Sequence, residues 1–152
     1  MIEYEVIPHV GAGPVRLGMH RDEVRRVMVA PAREIDKSPT SGYRVDAFHE
    51  SGFQVFYAGD QPRAEFIELW NDPAYRVVCR AGPVFELPAE QVVEIISREH
   101  PFDADDPELG MTYAFPSLDL AFWRPFVPDD ADDPEGRVFS TVAVGRRGYF
   151  GR

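Results

Sequence analysis

The chain has 152 residues, 44 % of them apolar, and a formal net charge of -10. A chain of this length buries about two-thirds of its unfolded surface in one core, so we expect one compact domain. The negative charge repels phosphate backbones and anionic membrane surfaces, which disfavours nucleic acid and membranes as partners and favours a basic protein. The 14 prolines and 12 glycines predict short strands, many turns and few helices.

Two features of the sequence indicate a cytoplasmic protein. Cys79 is the only cysteine, so the chain forms no internal disulfide and needs no oxidising compartment. The first residues lack the basic and apolar regions of a signal peptide, and no run approaches the ~20 apolar residues of a membrane span.

Residues 1–72 are predicted to form a strand, a helix and three further strands. Alternating polarity indicates the strands, and the apolar spacing of Val24, Val27 and Met28 indicates one buried helix face. The predicted ranges are a strand at 2–8, a helix from about 22 to 30, a polar connector at 34–42 and strands at 43–48, 53–57 and 66–70. A hairpin loop is expected at 50–52.

A degraded copy of residues 12–28 begins at Ala81. Both stretches start Ala-Gly-Pro-Val and continue into a helix, and Val92, Ile95 and Ile96 match the earlier apolar triad. Three strands follow the second helix as well, ending with one predicted at 138–144. The sequence therefore predicts an α+β fold of two tandem β-α-β-β-β repeats, 1–72 and 73–152, within a single domain. The repeats are expected to form one mostly antiparallel sheet with two helices packed on it.

No familiar catalytic or cofactor motif is present. The glycines at 11, 13 and 18 lack the lysine of a phosphate loop, and the four histidines are scattered without metal-ligand spacing. No serine lies in a nucleophile elbow, and Cys79 falls in a predicted strand whose apolar neighbours raise a thiol pKa. We therefore expect a non-catalytic protein without a cofactor or metal, although the sequence leaves an enzymatic activity open.

The candidate interface residues are three aromatic residues and four aspartates. Trp70, Trp123 and Tyr149 lie at or near strand ends, where an aromatic residue is either part of the core or an exposed interface anchor. The loop at 125–136 differs most between the repeats and is either a solvated loop or a charged rim for a basic partner. Its aspartates in the candidate interface are Asp129, Asp130, Asp132 and Asp133.

Two resemblances concern function. Residues 17–24, read Leu-Gly-Met-His-Arg-Asp-Glu-Val, resemble the start of a helix in the β-lactamase inhibitor protein superfamily and in small outer-membrane assembly lipoproteins of similar fold. The whole chain resembles a family of uncharacterised actinobacterial-type proteins through Gly-Pro-Val-Arg-Leu-Gly-Met, residues 106–116 and residues 144–150. The second resemblance implies no activity. The first implies a protein-binding role.

The leading hypothesis is a cytoplasmic, non-catalytic protein-binding module of the immunity or inhibitor type. Its sheet surface and acidic loops would engage an unknown, basic protein. The alternative is a small-molecule-binding or enzymatic α+β domain with a pocket between the repeats. A deep pocket with convergent polar groups favours the alternative, whereas an open aromatic face favours the binding module.

Overall fold

A computed structural model describes residues 1–35, 44–130, 133–134 and 136–151. The fold is α+β, with two α-helices and two mostly antiparallel sheets among these residues. Most of the predicted connector at 34–42, together with Tyr43, Asp132 and Glu135, lies outside the described residues.

The first half of the chain contains seven strands and one helix. Alternation places Tyr4 and Val6 of the first strand in the core, and His20 caps the helix by accepting a hydrogen bond from the Asp22 N–H at 3.1 Å. The elements are β1 (Ile2–Ile7), β2 (Gly11–Ala12), β3 (Val15–Arg16), α1 (Arg21–Val27), β4 (Arg33–Glu34), β5 (Arg44–Phe48), β6 (Phe53–Ala58) and β7 (Arg63–Trp70).

The second half contains five strands, one α-helix and a short 3-10 helix. The elements are β8 (Tyr75–Cys79), β9 (Gly82–Pro83), α2 (Ala89–Ser97), β10 (Thr112–Phe115), the 3-10 helix Pro116–Leu118, β11 (Leu120–Trp123) and β12 (Thr141–Gly145). The predicted strand, helix and three following strands each have a counterpart here, but the strand β9 and the 3-10 helix were not predicted. Pro88 is the N-cap of α2, a position that needs no intrahelical N–H.

The strands form two sheets, which corrects the prediction of one. The seven-stranded sheet has the order β10-β11-β12-β7-β6-β5-β4, and the five-stranded sheet has the order β3-β2-β1-β8-β9. All neighbours are antiparallel except β1 and β8, which pair in parallel with Tyr4 opposite Val77. The first strand of each half therefore pairs with its counterpart and leaves the meanders to form a separate sheet.

One apolar core joins both sheets and both helices. Its members include Val6 of β1, Val24 of α1, Ile67 of β7, Val92 of α2 and Val144 of β12, each at most 2 % exposed. The prediction that both helix triads are largely buried is wrong at two positions. Val27 is 37 % exposed because α1 ends there, and Ile95 is only half-buried.

Neither described helix is long and apolar enough to cross a membrane.

Candidate functional site

The seven-stranded sheet has one face directed away from the core, which we call the outer face. Ile67 and Leu69 of β7 are fully buried in the core, so the alternate residues Phe66, Glu68 and Trp70 lie on the outer face. The pairing register extends this face across β12 and β11. Thr141 lies opposite both Trp70 and Trp123, and Gly145 lies opposite Phe66.

Trp70 and Trp123 form a pair at one end of the outer face. Their strands are separated by β12, which sets their backbones about 9.5 Å apart. Their ring centroids are nevertheless only 6.0 Å apart, with planes inclined at 66°. The two rings therefore lean toward each other over Thr141. Trp70 is 38 % exposed and Trp123 is half-buried, so the pair presents apolar surface to solvent.

Thr141 carries an unsatisfied hydroxyl beneath the tryptophan pair. The residue is 5 % exposed, and its Oγ1 has no hydrogen-bond partner among the described residues. A buried hydroxyl without a partner costs about 1–3 kcal/mol, which favours any water or ligand group that reaches it. Thr141 and Trp123 line a depression of about 240 Å³, so this hydroxyl lies at a concave part of the outer face.

The backbone around Trp70 is rigidly held. The Trp70 N–H donates to the Gly52 carbonyl at 2.8 Å, and the Trp70 carbonyl accepts from the Tyr75 hydroxyl at 2.8 Å. The indole Nε1 donates to Glu68 Oε1 at 3.0 Å, which fixes the ring orientation. An anchor of this kind loses little conformational entropy on binding.

Acidic side chains surround the Trp70 end of the outer face. An open depression of about 840 Å³ is lined by Trp70, Arg33 and the carboxylates of Glu50, Glu68 and Asp72. Three carboxylates against one guanidinium make this depression acidic, which favours a cationic group beside an indole ring.

The predicted acidic loop leaves the outer face next to Trp123 and returns at Thr141. Asp129 and Asp130 are exposed, Asp133 is half-buried, and Asp132 lies outside the described residues. Both ends of the loop are thus joined to the outer face beside the tryptophan pair.

Arg124, which the sequence analysis missed, anchors this loop. It is 1 % exposed and donates to the Gly136 carbonyl at 3.0 Å and the Gly110 carbonyl at 2.8 Å. Its Nη2 also lies 2.8 Å from Glu90 Oε2 of α2. In the sequence, Arg124 directly follows a strand that ends in tryptophan. That position does not indicate that its side chain is buried.

Tyr149 lies apart from the tryptophan pair, at the other end of the outer face. Its ring stacks on Phe66 with centroids 4.7 Å apart and planes inclined at 21°. Gly145 makes room for it, since a Cβ at that position would lie 2.6 Å from the Tyr149 side chain. Tyr149 is half-buried and covers the sheet. The candidate interface residues therefore divide into two groups rather than one.

A buried ionic cluster, also missed by the sequence analysis, fastens α1 to the seven-stranded sheet. Asp46 of β5 is fully buried and accepts hydrogen bonds from Arg21 Nη2 at 2.8 Å, Arg25 Nε at 2.9 Å and the Tyr57 hydroxyl at 2.9 Å. Burial alone raises the pKa of the Asp46 carboxyl, but the hydrogen bonds from Arg25, Arg21 and Tyr57 outweigh it and lower the pKa below its usual value. Burial also raises the pKa of the Tyr57 hydroxyl, which stays protonated and donates.

A second buried carboxylate, Asp119, joins the two halves of the chain. It accepts hydrogen bonds from the backbone N–H groups of Gly148 at 3.0 Å and Phe150 at 3.1 Å, and its Oδ2 lies 3.0 Å from His9 Nε2. Burial raises the pKa of the Asp119 carboxyl, but the hydrogen bonds from Phe150, Gly148 and His9 outweigh it and lower the pKa. Asp119 also has a φ of 48°, a conformation that aspartate tolerates better than most residues.

Nothing in the described part of the chain resembles a catalytic centre. No group of three or more His, Cys, Asp or Glu side chains is placed there to share a metal ion. Burial raises the pKa of the Cys79 thiol, as the sequence predicted, so this cysteine is a poor nucleophile.

We expect the protein to lose stability in acid because of Asp46 and Asp119. Both carboxyls have a folded-state pKa below the unfolded value of about 3.9, so their contribution is complete above that value and is lost as pH falls through the folded pKa. Denaturant unfolding between neutral pH and pH ~2 measures this loss. Asp119→Asn, which tolerates the same backbone conformation, should reduce the acid slope. If the pH dependence of stability is unchanged in this variant, Asp119 does not contribute to the loss of stability in acid.

Comparison with known proteins identifies no family. No protein-family model matches the chain, no curated protein is significantly similar to it, and no solved structure matches it. The function of the chain has to be inferred from its own residues and their geometry.

Proposed function

We propose that the chain is a non-catalytic protein-binding module that engages its partner through the Trp70 and Trp123 end of the outer face. The observation that supports this proposal best is the pair of tryptophan rings above Thr141, of which Trp70 is 38 % exposed and Trp123 half-buried. Tryptophan is among the residues most enriched at the energetic centres of protein interfaces.

The charge distribution supports a basic partner. Glu50, Glu68 and Asp72 lie beside Trp70, and the exposed Asp129 and Asp130 lie on the loop that starts after Trp123. Charges at the rim of an interface mainly accelerate association, whereas buried aromatic anchors slow dissociation. We therefore assign affinity chiefly to the tryptophans and the association rate chiefly to the carboxylates.

The immunity- or inhibitor-like part of the proposal draws on sequence. The residues at 17–24 are similar to a helix start in the β-lactamase inhibitor protein superfamily, and the charge of -10 suits a basic target. The lone cysteine, Cys79, needs no oxidising compartment, which supports a cytoplasmic protein.

We also propose that the two halves are duplicated copies of one unit. Residues matched between the halves have nearly equal burial. The middle residue of each helix triad is its least buried member, Val27 in α1 and Ile95 in α2. The matched buried pairs are Tyr4 with Tyr75, Val6 with Val77, Val15 with Val84, Val24 with Val92, and Met28 with Ile96. The two meanders, which meet where β7 pairs with β12, agree with this arrangement.

The test is affinity capture from the native lysate, followed by kinetics with the purified partner. Replacing both Trp70 and Trp123 with alanine should abolish recovery, because each indole that becomes buried contributes about 2 kcal/mol or more. Neutralising Asp129, Asp130, Asp132 and Asp133 to asparagine should leave stability nearly intact, slow association and flatten its salt dependence.

The matched control neutralises four exposed carboxylates away from this region: Glu5, Asp60, Glu94 and Glu99. It changes the net charge by the same amount, so equal slowing by both variants would show that net charge alone acts. Equal recovery by the wild type and the tryptophan variant would contradict the proposed interface. Recovery of a small metabolite and no protein would favour the alternative, a small-molecule-binding or enzymatic domain.

A further inference from the structure

A depression of about 410 Å³ at the opposite end of the outer face is basic, in contrast to the rest of the protein. Three arginines line it: Arg63 at the start of β7, and Arg146 and Arg147 directly after β12. The two segments are adjacent because the Arg146 N–H donates to the Glu65 carbonyl at 2.8 Å. Both halves of the chain thus contribute to this depression, which we call the arginine depression.

Existing contacts hold two of the arginines in place and leave most of their donors available. Arg63 Nη1 donates to the Gly18 carbonyl at 3.0 Å, and Arg146 Nε donates to Glu65 Oε2 at 3.3 Å. Arg146 also lies over the Tyr149 ring, with its Cζ 5.8 Å from the centroid. The Arg147 guanidinium makes no hydrogen bond or ion pair within the part of the chain that the structure describes. A guanidinium carries five N–H donors, so these contacts use only a few of those present.

The charge of the arginine depression suits a doubly charged anion. Its three guanidinium groups face one lining carboxylate, Glu65, while the chain as a whole carries -10. His9 also lines it, and its Nε2 lies 3.0 Å from Oδ2 of the buried Asp119. Guanidinium groups bind phosphate oxygens through paired, charge-assisted hydrogen bonds.

The lining of the arginine depression is partly apolar. Leu17 and Ala58, both partly exposed, contribute side chains without polar atoms. Apolar surface beside a cluster of donors suits a ligand that joins an anionic group to an organic one, and it gives no advantage to a free inorganic anion.

We propose that the arginine depression binds a small organic phosphate monoester, with the phosphate on the arginines and the organic group against Leu17 and Ala58. This site is separate from the tryptophan pair and does not depend on the protein-binding proposal. Ligand binding there would hold β7 and the segment after β12 together, and with them the two halves of the chain.

Calorimetric titration of the full chain with phenyl phosphate at low ionic strength tests the proposal. Wild type should bind saturably at millimolar concentrations and more tightly than it binds inorganic phosphate. Arg147→Ala should weaken binding about tenfold or more, as expected for loss of a charge-assisted hydrogen bond. Arg98→Ala on α2 removes the same charge from an exposed surface pair and should leave binding unchanged.

Three results would overturn the proposal: no saturable binding by the wild type, equal weakening by Arg98→Ala and Arg147→Ala, or inorganic phosphate binding as tightly as phenyl phosphate. Arg63→Ala removes the hydrogen bond to Gly18 and can lower stability. Arg147→Ala therefore decides the matter, because its side chain makes no hydrogen bond to a described residue. Its thermal midpoint without ligand should equal that of the wild type.

Discussion

Replacing Asp46 with alanine should lower the free energy of unfolding by about 3–5 kcal/mol, as seen when one partner of a buried ion pair is removed. Asp46 is fully buried and accepts hydrogen bonds from both Arg21 and Arg25. Without it the Arg21 side chain, only 9 % exposed, keeps its charge in the protein interior, and the Glu34 carboxylate 3.5 Å away is itself largely exposed. Chemical denaturation at neutral pH measures the loss.

A matched control separates the charge from the hydrogen bonding. Tyr57→Phe removes one hydrogen bond to Asp46 and leaves the ion pairs, so it should cost only about 1 kcal/mol. If Asp46→Ala costs no more than Tyr57→Phe, the two arginines reach solvent in the variant and the cluster is not a buried network.

A third variant measures the net value of the ion pair. Replacing Arg21 with methionine and Asp46 with leucine removes both buried charges together, and such replacements are often neutral or stabilising. We expect the double variant to be more stable than Asp46→Ala. A double variant at least as stable as the wild type would show that the cluster mainly fixes the position of α1 on the sheet rather than adding stability.

Periodicity was sufficient to predict the longer elements, but not the two-residue strands β2, β3, β4 and β9. The alternation in residues 53–57 and the apolar spacing in residues 92–96 each depend on neighbours within one element, and both β6 and α2 form there. The number of sheets depends on pairing between distant segments. β1 pairs with β8 in parallel across some 70 residues, and no local pattern in either strand specifies that partner.

The candidate site was predicted in part, for a similar reason. Trp70 and Trp123 were chosen because they end strands, and the register brings them together over Thr141. Tyr149 was chosen on the same grounds but stacks on Phe66. Sequence composition cannot separate an exposed aromatic residue from one that covers a sheet, because both are common at strand ends.

The buried charged residues were missed because arginine and aspartate are usually exposed, so the sequence alone predicts that they lie at the surface. Asp46 lies on the same face of β5 as Phe48, which is fully buried. This shared face was the available indication that Asp46 is buried. Arg124 has no comparable signal, since its partners are two backbone carbonyls in loops and Glu90 of α2, all more than ten residues away in sequence.

Replacing Val92 with aspartate should lower the free energy of unfolding by about 4 kcal/mol or more, because an ionised carboxylate enters the core without a partner. Val92 is fully buried on α2 and belongs to the core shared by both sheets. Ile95→Asp is the matched control. The sequence analysis placed Ile95 in the same apolar triad as Val92, but Ile95 is only half-buried, so its carboxylate reaches water and the loss should be clearly smaller.

The same variant tests whether the core unfolds as one unit. Trp70 and Trp123 report on the seven-stranded sheet by fluorescence, whereas far-UV circular dichroism reports on the whole backbone. In Val92→Asp both signals should shift to the same lower denaturant midpoint, because α2 and the tryptophan-bearing strands contact one continuous core. If the fluorescence midpoint stays at the wild-type value while the dichroism midpoint falls, the seven-stranded sheet is stable without α2. In that case the two halves would not form one cooperative structure.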